Sequence, residues 1–179
     1  GPALVAQAVI AITGLLAVLV IADRTELGED HFTPMAAAEP GSVYESIARR
    51  RGLTQTEIYP LTLFALGGMM LFPAAGSLLT LFVALEVFSL PLYLLTGLAR
   101  RARLLSQEAS LKYFVLGAFA SAFLLFGVAM LYGYAGSVRY ADISYAIDTG
   151  AGDDLLLIVG VVLVLIGMLF KVGAVPFHM

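Results

Sequence analysis

The sequence predicts an all-α, polytopic transmembrane helix bundle, and three observations predict it. Of 179 residues, 60% are hydrophobic and 13% are charged, with a mean hydropathy of +0.95. A soluble domain averages roughly 45–50% apolar and about 25% charged residues, so this excess cannot all be buried in the core of one small domain. The apolar residues gather into five stretches near the roughly 20-residue length that crosses a bilayer as a helix. The basic residues cluster in alternate connecting segments, as in a chain that threads a membrane repeatedly.

The same composition excludes other classes. There is no cysteine, which removes disulfides, thiolate metal sites, iron–sulfur clusters and thiol nucleophiles. Ten Lys plus Arg and a net charge of −3 leave no basic surface for nucleic acid. No His/Asp/Glu cluster has metal-ligand spacing, and no glycine loop is built to hold phosphate. The chain opens as Gly1-Pro2-Ala3-Leu4-Val5, already apolar and without Met or a basic leader, and stops at Phe177-His178-Met179. It is therefore expected to be a fragment of a longer protein.

The first span is expected over residues 2–22, interrupted only by Gln7 and Thr13. Residues 23–56 carry Asp23, Glu26, Glu29, Asp30, Glu39 and Glu45 with Pro34, Pro40 and Gly41, and read as a hydrophilic loop. Within it, residues 43–51 suit a short amphipathic helix at the interface. Four further spans are expected over residues 57–179. The second covers 57–72, with Pro60 in its first turn, where proline is tolerated. Residues 73–77 make a tight reversal, and the third span covers 78–98. The cluster Arg100-Arg101-Ala102-Arg103 ends it, and a fourth span follows over 108–134, with Ser106 as its expected cap. Residues 136–152 read as a loop. Asp153 and Asp154 suit the positive end of a fifth helix, which runs to the region of Val175 and Pro176, where it is expected to break.

Arg49, Arg50 and Arg51 lie in the first loop, and Arg100, Arg101 and Arg103 lie between the third and fourth spans. The 73–77 turn has no basic residue, and the 136–152 segment has only Arg139. The positive-inside rule then puts both Arg clusters in the cytoplasm. The first, third and fifth spans run from outside to inside.

A charge at the bilayer centre costs roughly 2.5–3.5 kcal/mol on insertion scales, and such residues tend to mark ion or proton paths. Glu86 sits nine residues after Ser77 and fourteen before Arg100, which at about 1.5 Å per residue places it near the membrane midplane, too short to reach water. Its plain structural alternative is a protonated carboxyl bonded to a neighbouring helix. Lys171 follows the apolar run 155–170 on the fifth helix. A lysine near a helix end can snorkel to the interface, but Val172 to Phe177 continue apolar beyond it, and Gly173 and Pro176 predict a broken helix there. Ionisable groups beside such breaks are typical of transport sites.

Lys112 lies one turn after Glu108, and a surface i,i+4 pair explains it adequately. His178 could carry protons, having an ordinary pKa near 6.5, or bond to the broken helix. Gly67, Gly68, Gly117 and Gly127 allow close helix approach, and Tyr113, Phe114, Phe119 and Phe123 suit packing better than a haem or quinone pocket.

The run Leu85-Glu86-Val87-Phe88-Ser89-Leu90-Pro91-Leu92-Tyr93 resembles the glutamate helix of the antiporter-like membrane subunits of bacterial respiratory complex I, the proton-translocating NADH:quinone oxidoreductase. Glu108-Ala109-Ser110-Leu111-Lys112-Tyr113-Phe114 and Ser121-Ala122-Phe123-Leu124-Leu125-Phe126-Gly127 resemble the family's next helix. Phe170-Lys171-Val172-Gly173-Ala174-Val175-Pro176-Phe177-His178 resembles its broken lysine helix. The wording is closest to the N-subunit branch, and the likeness covers residues 59–179.

The resemblance implies about fourteen membrane helices in two inverted five-helix repeats, of which this chain would supply helices three to seven. It implies a translocase subunit without a redox centre of its own. NADH, FMN, iron–sulfur clusters and quinone (menaquinone among the candidates) would belong to the rest of the complex. Implied partners are the other complex I membrane subunits and the lipid bilayer, with no nucleic acid, in the bacterial plasma (inner) membrane. Glu86 and Lys171 would translocate protons, with Lys112 and His178 as candidate relays. Two rival readings remain open from the sequence: a subunit of a cation/proton antiporter or membrane-bound hydrogenase, and a membrane scaffold in which Glu86 and Lys171 fix helix register.

Overall fold

The structure, a computed structural model, describes residues 1–22, 42–50, 58–98, 103–150 and 152–173. Among them the regular structure is helical: α1 (Pro2–Ala22), α2 (Val43–Arg50), α3 (Ile58–Leu71), a 3₁₀ turn (Phe72–Ala74), α4 (Leu78–Gly97), α5 (Arg103–Ala135), α6 (Tyr140–Thr149) and α7 (Asp154–Val172). Four helices (α1, α4, α5, α7) are long and apolar enough to cross a membrane, and α3 with its 3₁₀ turn forms a shorter apolar rod. The expected all-α bundle holds. Most of the acidic loop, Arg51, Arg100, Arg101, Pro176 and His178 lie outside the described residues.

A nearly continuous apolar run sets the ends of α1 where expected, and the amphipathic α2 occupies its expected place. Two expectations need correction. The 136–152 segment is not an irregular loop but carries α6, ten residues long. Its Ile143 and Ala146 are buried, and Tyr134 of α5 donates a hydrogen bond to the Ala146 carbonyl at 3.2 Å. Tertiary packing, more than local propensity, therefore carries so short a helix. The fourth span begins at Arg103 rather than near Glu108, so Ser106 lies inside α5 and is not its cap. At 33 residues and about 1.5 Å per residue, α5 is roughly 50 Å long. That exceeds the hydrocarbon thickness of about 30 Å, which leaves its first turns beyond the apolar layer.

Ser106 and Ser110 instead serve α4. A helix end leaves its last carbonyls without intrahelical donors. Ser106 donates to the Thr96 carbonyl at 2.5 Å and Ser110 to the Tyr93 carbonyl at 2.6 Å, so α5 ties off the end of α4. At the opposite end of the bundle, Ser77 caps α4 by accepting from the Thr80 N–H at 3.1 Å. The Leu78 N–H donates to the Val138 carbonyl at 2.9 Å, joining the start of α4 to the α5–α6 connection. Between these ends Leu78, Leu81, Val128, Leu131 and Ile143 form the core, with Leu157, Val164 and Met168 of α7 packed against it.

Helix α7 lies along α5 at very short range. A Cβ on Gly127 would stand 2.7 Å from the Val164 nitrogen, and one on Gly167 would stand 2.7 Å from Leu124 Cβ. Such small-residue contacts let membrane helices pack where lipid supplies no hydrophobic drive. The outer face of α7 (Leu155, Ile158, Val162, Leu165, Leu169) is exposed. Helix α1 joins through α3: Gln7 donates to the Met70 carbonyl at 3.0 Å.

Gly127→Val is expected to force α5 and α7 apart and to destabilise the full-length subunit by about 1–3 kcal/mol, read as a lower midpoint of thermal unfolding in detergent. Gly67→Ala, which meets nothing within 4 Å, should leave that midpoint unchanged or slightly raised.

Candidate functional site

Helix α4 is capped at Ser77, which phases Glu86, Ser89 and Tyr93 at i, i+3 and i+7 on one face. Ser89 and Tyr93 are buried and Glu86 is partly buried. Pro91 lies inside the helix between them and has no N–H to give to the Val87 carbonyl, so one backbone bond is missing from this stretch. Tyr93 is held on several sides. Its ring meets Tyr113 edge-on at 4.6 Å and Phe114 at 5.8 Å. Its hydroxyl sits directly against Gly117, where any Cβ would overlap it; glycine is needed there for that close approach.

Helix α7 begins with Asp153 accepting from the Leu155 N–H at 2.9 Å and ends at Gly173, in the left-handed region at φ 70°. Asp154 at its start and Lys171 in its last turn both suit the helix dipole. The Lys171 side chain does not run out past the helix end. Side chains lean toward the N-terminus of their helix, and this one leans back across to α4. Its Nζ donates to Ser89 Oγ at 2.7 Å and to Tyr93 Oη at 3.2 Å, and lies 5.8 Å from the centre of the Tyr93 ring.

Glu86 accepts a hydrogen bond from the Ser121 hydroxyl of α5. The Ser89 and Tyr93 hydroxyls that hold Lys171 lie one to two turns along α4 from Glu86. No ion pair within 4.0 Å joins Glu86 to Lys171, whereas Glu108 and Lys112 do pair. The two partly buried groups are thus neighbours, each held by hydroxyls rather than by the other. Chemically, such a site can hold a proton on either group and change its affinity by bringing the charges together or parting them.

Of the four expected site residues, Glu86 and Lys171 both lie at this site, Glu86 bonded from α5 and Lys171 bonded to α4. Lys112 does not join them: it pairs with Glu108 at 2.5 Å on an exposed surface. His178 lies outside the described residues. Sequence reasoning passed over Ser89, Tyr93 and Ser121 as site residues. The signal that could have found the first two is the i, i+3, i+7 spacing of hydroxyls after Glu86 on an otherwise apolar helix. No group of three or more His, Cys, Asp or Glu able to hold a metal occurs among the described residues.

The family model described as NADH:quinone oxidoreductase/Mrp antiporter, transmembrane, matches residues 75–179. The chain is 64% identical to NADH-quinone oxidoreductase subunit N of Beutenbergia cavernae, over 99% of this chain and 34% of that protein. It is 54% identical to the protein of that name from Rhodococcus opacus, over 99% of this chain and 37% of the relative. Its fold matches a chain of respiratory complex I from Thermus thermophilus with bound Aureothin, with a TM-score of 0.60 and 40% identity, covering 70% of this chain and 27% of that one. The chain spans about a third of the length of the curated relatives it matches. It belongs to the NADH:quinone oxidoreductase/Mrp antiporter membrane family and is a piece of a multi-pass membrane protein.

Gly117→Ala is expected to push the Tyr93 hydroxyl off its place and lower the unfolding midpoint of the full-length subunit. Adding Tyr93→Phe, which removes that hydroxyl, should recover part of the loss. A coupling of about 0.5–3 kcal/mol in that double-mutant cycle is the expected reading.

Proposed function

We propose that this chain is part of a proton-translocating membrane subunit of a bacterial NADH:quinone oxidoreductase, in which protons pass through Glu86 and Lys171 while quinone is reduced elsewhere in the complex. The observation that supports this best is the meeting of two opposite charges, from α4 and α7, inside an apolar bundle. Ionisable groups so placed are expensive and mark conduction paths. With Lys171 brought against Glu86, the carboxylate attracts the ammonium and the lysine keeps its proton. With the pair parted, desolvation favours the neutral lysine, and the proton leaves along the membrane. A drive from quinone chemistry that opens and closes this gap would load and unload the lysine in turn.

The names of the relatives support complex I over the antiporter branch of the same family. NADH, FMN, iron–sulfur clusters and quinone would be bound by other subunits, and the partners are the neighbouring subunits of the membrane arm and the surrounding lipid. The Arg-rich segments would face the cytoplasm, in the plasma (inner) membrane, so α1, α4 and α7 run from outside to inside. Lys112, at the exposed start of α5, and His178 are the candidate relays between Lys171 and water.

Lys171→Ala in the full-length subunit is expected to abolish NADH-driven proton pumping in membrane vesicles although the complex still assembles. Glu86→Ala should do the same, with Glu86→Asp retaining part. Undiminished pumping in the assembled Lys171→Ala complex would sink the proposal, whereas failure to assemble would favour a purely structural pair.

A further inference from the structure

The stripe Glu86, Ser89, Tyr93 extends over roughly 10 Å of α4 at about 1.5 Å per residue, and Lys171 occupies only its far end. Its Nζ bonds Ser89 and Tyr93, while Glu86 accepts from Ser121. The hydrogen-bonding capacity of each group decides what this arrangement can hold. Ser89 has one hydroxyl proton, given to the Leu85 carbonyl at 2.5 Å, so its oxygen meets Lys171 purely as an acceptor. A phenol both donates and accepts, so Tyr93 can accept from an ammonium or donate to an amine. Ammonium and neutral amine alike have an N–H for Ser89. The two hydroxyls therefore hold Nζ in either charge state, whereas a carboxylate holds it strongly only as ammonium.

From this geometry we propose that Ser89 and Tyr93 form a second seat for Lys171 Nζ, one to two turns along α4 from Glu86, and that Ser121 satisfies the Glu86 carboxylate when the lysine occupies that seat. Glu86 and the seat are the two ends of the lysine's travel. Ser89, Tyr93 and Ser121 are positioning residues: they act through Lys171 and Glu86. The inference rests on the reading of those two as proton carriers. The seat is rigid, because Ser110 bonds the Tyr93 carbonyl at 2.6 Å, Tyr113 and Phe114 brace its ring and Gly117 admits its hydroxyl. Lys171 is the mobile partner, having a long unbranched stem. The titratable groups around it are Glu86 and Tyr93 on α4; Tyr113 on α5 meets the Tyr93 ring, and Lys112 pairs outward with Glu108.

The test uses the full-length subunit in the assembled complex, with Ser89→Ala and Tyr93→Phe made separately and NADH-driven pumping followed from acid to alkaline pH. Without the seat the lysine spends more time on Glu86 and keeps its proton longer. Pumping at neutral pH is expected to fall about two- to tenfold, and its optimum to move alkaline by roughly half to one pH unit, the size expected for one lost hydrogen bond. An unmoved optimum with an undiminished rate in either assembled variant overturns the seat. If those variants are normal while Lys171→Ala and Glu86→Ala are inactive, the seat alone fails. If all four pump normally, the proton-carrier reading fails with it. Should Tyr93→Phe disturb assembly, Ser89→Ala decides the matter.

Discussion

Two opposite charges placed in an apolar bundle can each be satisfied by the other, by neutral polar groups or by water, and the balance among these governs the site. Direct pairing is strong and selective for the charged lysine, but it would lock the proton in place. Here each charge is supported by hydroxyls from a neighbouring helix: Ser121 of α5 on Glu86, Ser89 and Tyr93 of α4 on Lys171. Hydroxyl support lowers the cost of separation without the selectivity of an ion pair. Much of the surrounding structure positions those few oxygens.

The positioning runs through α5, which serves both neighbours. Toward α4 it sends Ser106, Ser110 and Ser121 as hydrogen-bond donors and opens a gap at Gly117 for the Tyr93 hydroxyl. Toward α7 it offers Gly127 and the Leu124 backbone region, so close that Lys171 is carried within reach of α4. The capped start of α4 at Ser77 and the core around Leu81, Leu131 and Ile143 fix the other end of the bundle. A change of register in α5 would therefore disturb Glu86 and Lys171 together, even though α5 carries neither.

Hydropathy made the spans and the two charges legible in the sequence. Glu86 and Lys171 stand out because each interrupts an apolar run, and α1 matched its expected limits because no charge interrupts it. What hydropathy cannot see is which neutral residue faces which charge. Ser89 and Lys171 are 82 positions apart, and a serine in a membrane helix is too mildly polar to mark itself. The same limit hid α6, whose polar sequence reads as a loop until Ile143 and Ala146 find their packing on α5. It also made Ser106 look like a cap, when the helix begins a turn earlier and the hydroxyl is spent on the carbonyl of Thr96.

In this structure the two charges are held apart by hydroxyls rather than joined as an ion pair. A cryo-EM reconstruction of the whole complex at rest, at a resolution that shows lysine and glutamate side chains, addresses it directly. Lys171 Nζ is expected within hydrogen-bond distance of Ser89 and Tyr93, with Ser121 on Glu86, in a substantial share of particles. A Lys171–Glu86 ion pair inside 4 Å in all of them, with Ser89 and Tyr93 bonded elsewhere, would contradict it.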